Sequence, residues 1–95
     1  MSRKNDIWQD PELDDFVDVL SGDVHNLILH NDDVNTFDHV IASLVDICKH
    51  DIHQAEQCAY IVHFNGKCDV KSGSFDYLQP MKEKLTSKGL SVTID

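Results

Sequence analysis

Three short polar stretches of this chain hold the residue types that do chemistry. The first is Asn31-Asp32-Asp33, a cluster of short side chains rich in oxygen acceptors. It lies between a run that reads as a strand and the best-patterned helix of the sequence. Such a cluster suits a bound cation, either a metal ion or a protonated amine. Asn and Asp also make turns and cap helices by accepting from nearby backbone N–H groups, so the cluster alone does not choose. The second is His63, which shares a helix face with Ala59 and Val62 through i+3 and i+4 spacing. A histidine on such an apolar edge is most often a satisfied, partly buried side chain. The third is Cys48, His50, His53 and Cys58. Their spacing, C-x-H-x2-H-x4-C, is not a zinc pattern, and His53 and Cys58 fall on different faces of one helix. They read as surface histidines of a helix–helix loop, with no metal and no cofactor.

Other chemistries lack their residues. There is no GxSxG, no cysteine in an activating motif, and no Gly-rich phosphate loop among only four glycines. No catalytic residue is assigned, and the chain reads as a non-enzyme. A net charge of −9 opposes nucleic acid and anionic membrane as partners. The three cysteines are odd in number and never spaced CxxC, which fits reduced thiols in a cytoplasmic protein. The first ten residues hold only Ile7 and Trp8 as large apolar residues after Met1, unlike a signal peptide. No apolar run approaches the ~20 residues of a membrane span. At 41% hydrophobic, the composition is that of a globular domain.

The elements that must position these residues follow from periodicity. Residues 1–23 form an acidic N-terminal extension, flexible or a short amphipathic helix. Its Leu13, Phe16, Val17 and Leu20 fall at helical spacing behind Asp10-Pro11. The core domain is 24–95. Residues 24–30 read as a strand around Leu27-Ile28-Leu29. Asn35 is the expected N-cap of a first helix over 36–49, with Asp38 in the capping-box position. Its apolar stripe is Phe37, Val40, Ile41, Leu44, Val45 and Cys48. Asp51 with Gln54 opens a second helix over 52–64, which Asn65-Gly66 ends. A short strand over 67–71 and a turn at 72–74 lead to a third helix, capped by Ser74 and running to about Lys88. Pro80 is expected to kink that helix or to split it. Residues 90–94 alternate as a last strand. The fold class is α+β: a compact β-α-α-β-α-β sandwich, with a three-stranded antiparallel sheet packed by three helices.

The run from Leu29 to Val40, LHNDDVNTFDHV, resembles the opening motif of ClpS, the bacterial adaptor family that selects N-degron substrates for Clp proteases. Val62-His63-Phe64-Asn65-Gly66-Lys67 is similar to that family's Val-His-aromatic-x-Gly-Lys motif, and Gly89-Leu90-Ser91-Val92-Thr93-Ile94-Asp95 looks like its closing strand. The resemblance covers about residues 24–95, with two separated motifs in the right order.

The resemblance implies a pocket for the first residue of a substrate protein. Asn31, Asp32 and His63 would hold its α-amino group. Phe37, Ala59, Val62 and Leu90 would wall an apolar slot for its side chain, with Asn35 and Asp33 at the rim. A free α-amine, with a pKa of about 7.7–8.0, is mostly protonated at neutral pH and offers N–H donors and a charge. Carboxylate, amide and imidazole acceptors complement it. Family substrates begin with Phe, Tyr, Trp or Leu. The family also implies docking on the N-terminal domain of a Clp AAA+ unfoldase, with a flexible extension that helps transfer cargo. The chain is expected to be a monomer. Three departures stand out: Phe37 and Ala59 replace residues that are Met in many members, and Asn35-Thr36 replaces Thr-Pro. A ring on one wall and extra depth on the other predict that Trp is admitted. The alternative is a structural or assembly module of similar βααβαβ shape without an amine pocket, as in the C-terminal domain of the ribosomal stalk protein.

Overall fold

The computed structural model describes residues 24–95; the expectations for the acidic extension lie outside them. The elements are β1 (His25–His30), α1 (Phe37–Ile47), α2 (Ile52–Asn65), β2 (Lys67–Gly73), α3 (Phe75–Ser87) and β3 (Ser91–Ile94). The three strands form one antiparallel sheet in the order β2-β1-β3. Its core is Leu27 and Leu29 from β1, packed on Leu44, Ala55, Leu78 and Leu85 from the helices. Each fully buried aliphatic side chain contributes roughly 1.5–3 kcal/mol.

The register explains why one end of the sheet carries the site. His30, the last residue of β1, pairs with Lys67, the first of β2, and with Ser91, the first of β3. The loop leaving β1, the turn after α2 and the corner before β3 therefore meet at that end. A bulge between Leu27 and Ile28 shifts the β1–β2 pairing farther down the strand.

Local chemistry sets most boundaries. Asp51 caps α2 by accepting from Gln54 N at 2.7 Å, and Ser74 caps α3 by accepting from Tyr77 N at 3.0 Å. Gly66, at φ 94°, ends α2 in the left-handed region.

Three local expectations change. The N-cap of α1 is Thr36, whose side chain accepts from His39 N at 3.1 Å, because the Asn35 amide is engaged elsewhere. Strand β2 continues through Ser72 and Gly73, which pair with Asn26 and His25, where a turn was expected. Helix α3 runs uninterrupted through Pro80. Proline removes one backbone donor, and the carbonyl that loses it belongs to exposed Asp76, which water can reach. Leu78 and Leu85, both fully buried, anchor the helix on either side.

Candidate functional site

Asp32 organises the loop between β1 and α1. Its Oδ1 accepts from the backbone N–H of Val34 (2.9 Å) and of Asn35 (3.0 Å), and its Oδ2 accepts from Asn35 Nδ2 (2.8 Å). This closes the turn from within. The hydrogen bond from the Asn35 backbone, with smaller help from Val34 and the Asn35 amide, outweighs desolvation and holds the Asp32 carboxyl below its ordinary pKa. Asp32 is thus ionised at neutral pH. A carboxylate has about four acceptor positions, so three bonds within the loop leave room for one more donor.

Two links tie this loop to its neighbours. The backbone N–H of Asn31 donates to Gly66 O at 2.8 Å, which sets the loop against the end of α2. Asn35 Nδ2, already on Asp32, also donates to Gly89 O at 3.0 Å. One turn along α1, His39 Nε2–H donates to Lys88 O at 2.8 Å. Together these straps hold the α3–β3 corner, and so Leu90, against α1.

A cavity of about 350 Å³ opens where these segments meet. Its lining includes all nine residues singled out above: Asn31, Asp32, Asp33, Asn35, Phe37, Ala59, Val62, His63 and Leu90. Ala59, Val62 and Leu90 are buried; Phe37 is half-buried; Asn31, Asp33 and His63 are exposed. The lining thus combines acceptor-bearing side chains with buried apolar ones. The ring of His63 lies edge-on to Phe37, with centroids 5.3 Å apart. Within the described residues, neither the Asn31 amide nor the His63 imidazole has a hydrogen-bond partner. Both line the cavity.

The lining also includes Leu29, His30, Thr36 and Val40. Leu29 and Val40 carry a signal in the sequence only as core positions. His30 is held by Thr93 Oγ1 at 2.8 Å, a contact 63 residues away that no local pattern reveals.

The Cys/His stretch behaves differently. His50 is buried rather than on the surface: its Nε2–H donates to Val70 O at 2.6 Å, across to β2. His53 is exposed, while Cys48 and Cys58 are buried free thiols. Burial pushes the Cys48 thiol up to about 11, and burial with the neighbouring Cys58 thiol pushes Cys68 up to about 12. Among the described residues, no group of three or more His, Cys, Asp or Glu is placed to hold a metal ion. No helix of the described residues is long and apolar enough to cross a membrane.

Comparison with known proteins addresses this architecture directly. The sequence model of the family described as ATP-dependent Clp protease adaptor protein ClpS matches residues 21–93. No curated protein matches by sequence. Among solved structures, the fold is similar to that of Agrobacterium tumefaciens ClpS2 bound to L-phenylalaninamide. The TM-score is 0.74 at 18% identity, covering 77% of this chain and 95% of that one.

Proposed function

The chain belongs to the ClpS family of ATP-dependent Clp protease adaptor proteins, and we propose that its cavity binds the free α-amino group and the first side chain of N-degron substrates. The carrying observation is one cavity lined both by acceptor-bearing side chains and by buried apolar ones. Asn31, Asp32 and His63 supply acceptors, and the Asp32 charge complements an ammonium group. Phe37, Ala59, Val62 and Leu90 enclose the side chain, whose burial contributes roughly 1.5–3 kcal/mol. The volume sits at the small end of ligand sites, which suits one residue rather than a folded segment. The ligand of the Agrobacterium neighbour has the same two parts, a free α-amine and an aromatic side chain.

Ala59 leaves depth on the α2 wall, so the accepted first residues are Phe, Tyr, Leu and Trp. The test is binding of labelled peptides beginning with free Phe, its N-acetylated twin, free Trp and free Ala. Free Phe and free Trp are expected to bind at micromolar or tighter, and the acetylated and Ala peptides at least tenfold more weakly (about 1.4 kcal/mol). Equal binding of the acetylated twin removes the amine site; rejection of Trp alone removes the Ala59 argument.

The substrate so held is delivered, without catalysis by this chain, to the N-terminal domain of a Clp AAA+ unfoldase. Residues 1–23 act as a transfer arm and 24–95 as the adaptor core. Deleting 1–23 is expected to leave peptide affinity unchanged and to slow degradation of a bound substrate by the unfoldase–protease. A matching fall in peptide affinity would place the arm in the site instead.

A further inference from the structure

The corner between α3 and β3 is held from outside. At the end of α3 the N–H groups of Lys88, Gly89 and Leu90 return to the carbonyls of Lys84, Leu85 and Thr86. The next two carbonyls, Lys88 O and Gly89 O, lie past the helix. Side chains of α1 and its leading loop take both. His39 Nε2–H donates to Lys88 O at 2.8 Å, and Asn35 Nδ2–H to Gly89 O at 3.0 Å. Gly89 turns the chain at φ 88°, and Leu90 follows, buried in the cavity lining. Lys88 and Gly89 are themselves exposed, so water would satisfy their carbonyls if the side chains did not. The two bonds therefore contribute little to stability. What they fix is position.

We infer that His39 is a positioning residue for selectivity: by latching the α3–β3 corner to α1 it fixes the Leu90 wall, and so decides which shapes of first side chain the cavity accepts. The inference rests on the amine-and-side-chain reading above. His39 is not among the residues that line the cavity, so it acts through Leu90 and not by touching the ligand. The Asn35 amide also serves the Asp32 carboxylate, whereas the His39 bond can be removed without disturbing Asp32. The two donors lie one helical turn apart and reach adjacent carbonyls, so the corner is attached at two points and resists pivoting about either. The wall facing Leu90 includes Phe37, carried by α1 two residues before His39. The latch therefore ties the Leu90 wall to the element that carries the Phe37 wall. A fixed wall selects by shape, because dispersion falls away across a small gap and overpacking costs free energy. A wall free to yield selects by apolar area alone. Leu and Ile carry the same number of carbons and differ in branching, so the ratio of their affinities reads how firmly the wall is held.

The test uses the full chain, the variants His39→Leu and His39→Gln, and two free-amine peptides that differ only in beginning with Leu or Ile. The variant side chains are similar in size, and only the glutamine keeps an N–H donor at the reach of Nε2. The unaltered protein should prefer Leu. His39→Leu should shrink the Leu-to-Ile affinity ratio by about two- to tenfold, as much as one net hydrogen bond can transmit, and His39→Gln should retain most of it. The urea midpoint should barely move in either variant. Equal binding of Leu and Ile by the unaltered protein, or an unchanged ratio in His39→Leu, overturns the assignment. An equal loss in both variants also overturns it, since the effect then belongs to the ring's packing and not to its donor. A second measurement needs no ligand. Amide hydrogen exchange at Leu90, whose N–H is held by Leu85 O at 3.1 Å, should quicken in His39→Leu and not in His39→Gln. Equal exchange in all three proteins overturns the latch. Failure of both peptides to bind the unaltered protein, with the exchange difference intact, removes the amine-site reading and the selectivity role with it.

Discussion

Two histidines on neighbouring segments of this chain have opposite fates. His50, in the connection between α1 and α2, is buried, and its Nε2–H is committed to the Val70 carbonyl. Its Nδ1 is buried with no hydrogen-bond partner among the described residues. His63, in the last turn of α2, is exposed; it lines the cavity, and among the described residues its ring meets Phe37 and Phe64 edge-on. In the sequence, His50 reads as a surface histidine and His63 as a satisfied side chain on an apolar edge, so neither outcome is plain there. The difference lies in where each imidazole's hydrogen bonds go. A histidine that satisfies a backbone carbonyl inside the core holds elements together, whereas one with uncommitted nitrogens at a cavity mouth is available to a ligand.

Breaking each side of this contrast should produce separable losses. The largest expected effect is on stability, from His50→Ala. It leaves the Val70 carbonyl without its donor and opens a void between α1 and β2, at a cost of about 2–4 kcal/mol. Urea unfolding measures it, and peptide affinity of the folded fraction should be retained. The reverse pattern is expected of His63→Ala. Loss of one hydrogen bond to a charged amine weakens peptide binding by roughly 10- to 100-fold, with the unfolding midpoint unmoved. Should the two variants lose the same property, the contrast collapses.

Asp32→Asn sharpens the comparison, because Asp32 serves both purposes. It should lower affinity several-fold and stability by about 0.5–1 kcal/mol, the scale of a weakened turn. The pH dependence has a defined sign. The folded pKa of Asp32 is depressed, so its contribution is present above the ordinary carboxylate pKa and fades as pH falls through the lower folded value. Affinity at the alkaline end falls instead as the ligand's amine loses its proton, above about pH 8. Urea unfolding from pH 5 down to pH 2 checks the acid limb, and a titration of peptide affinity from pH 6 to 9 checks the alkaline one.

The elements were legible because their signals are local. The stripe from Phe37 to Cys48, the Asp51 and Ser74 caps and the Gly66 stop all act within a few residues of themselves. Asn31, Asp32, Asp33, Asn35, Phe37, Val62 and His63 were legible because two motifs that resemble the ClpS family carry them in short runs, whereas Ala59 and Leu90 followed from their positions in that resemblance. What stayed hidden depends on distant partners. Asn35 yields the cap of α1 to Thr36 because its amide reaches Gly89, 54 residues on. His50 is drawn inward by a carbonyl 20 residues away. No window of sequence contains those contacts.

The Asn35 amide touches both the Asp32 carboxylate and the backbone carbonyl that precedes Leu90. The two parts of the lining are therefore not independent modules. Substitutions at Asp32 and at Leu90 will be non-additive, since each alters the position of the amide on which the other relies. Re-engineering this chain toward a new first residue by reshaping the Leu90 wall alone will also retune its grip on the amine. Asn35 is the position at which both properties can be adjusted together.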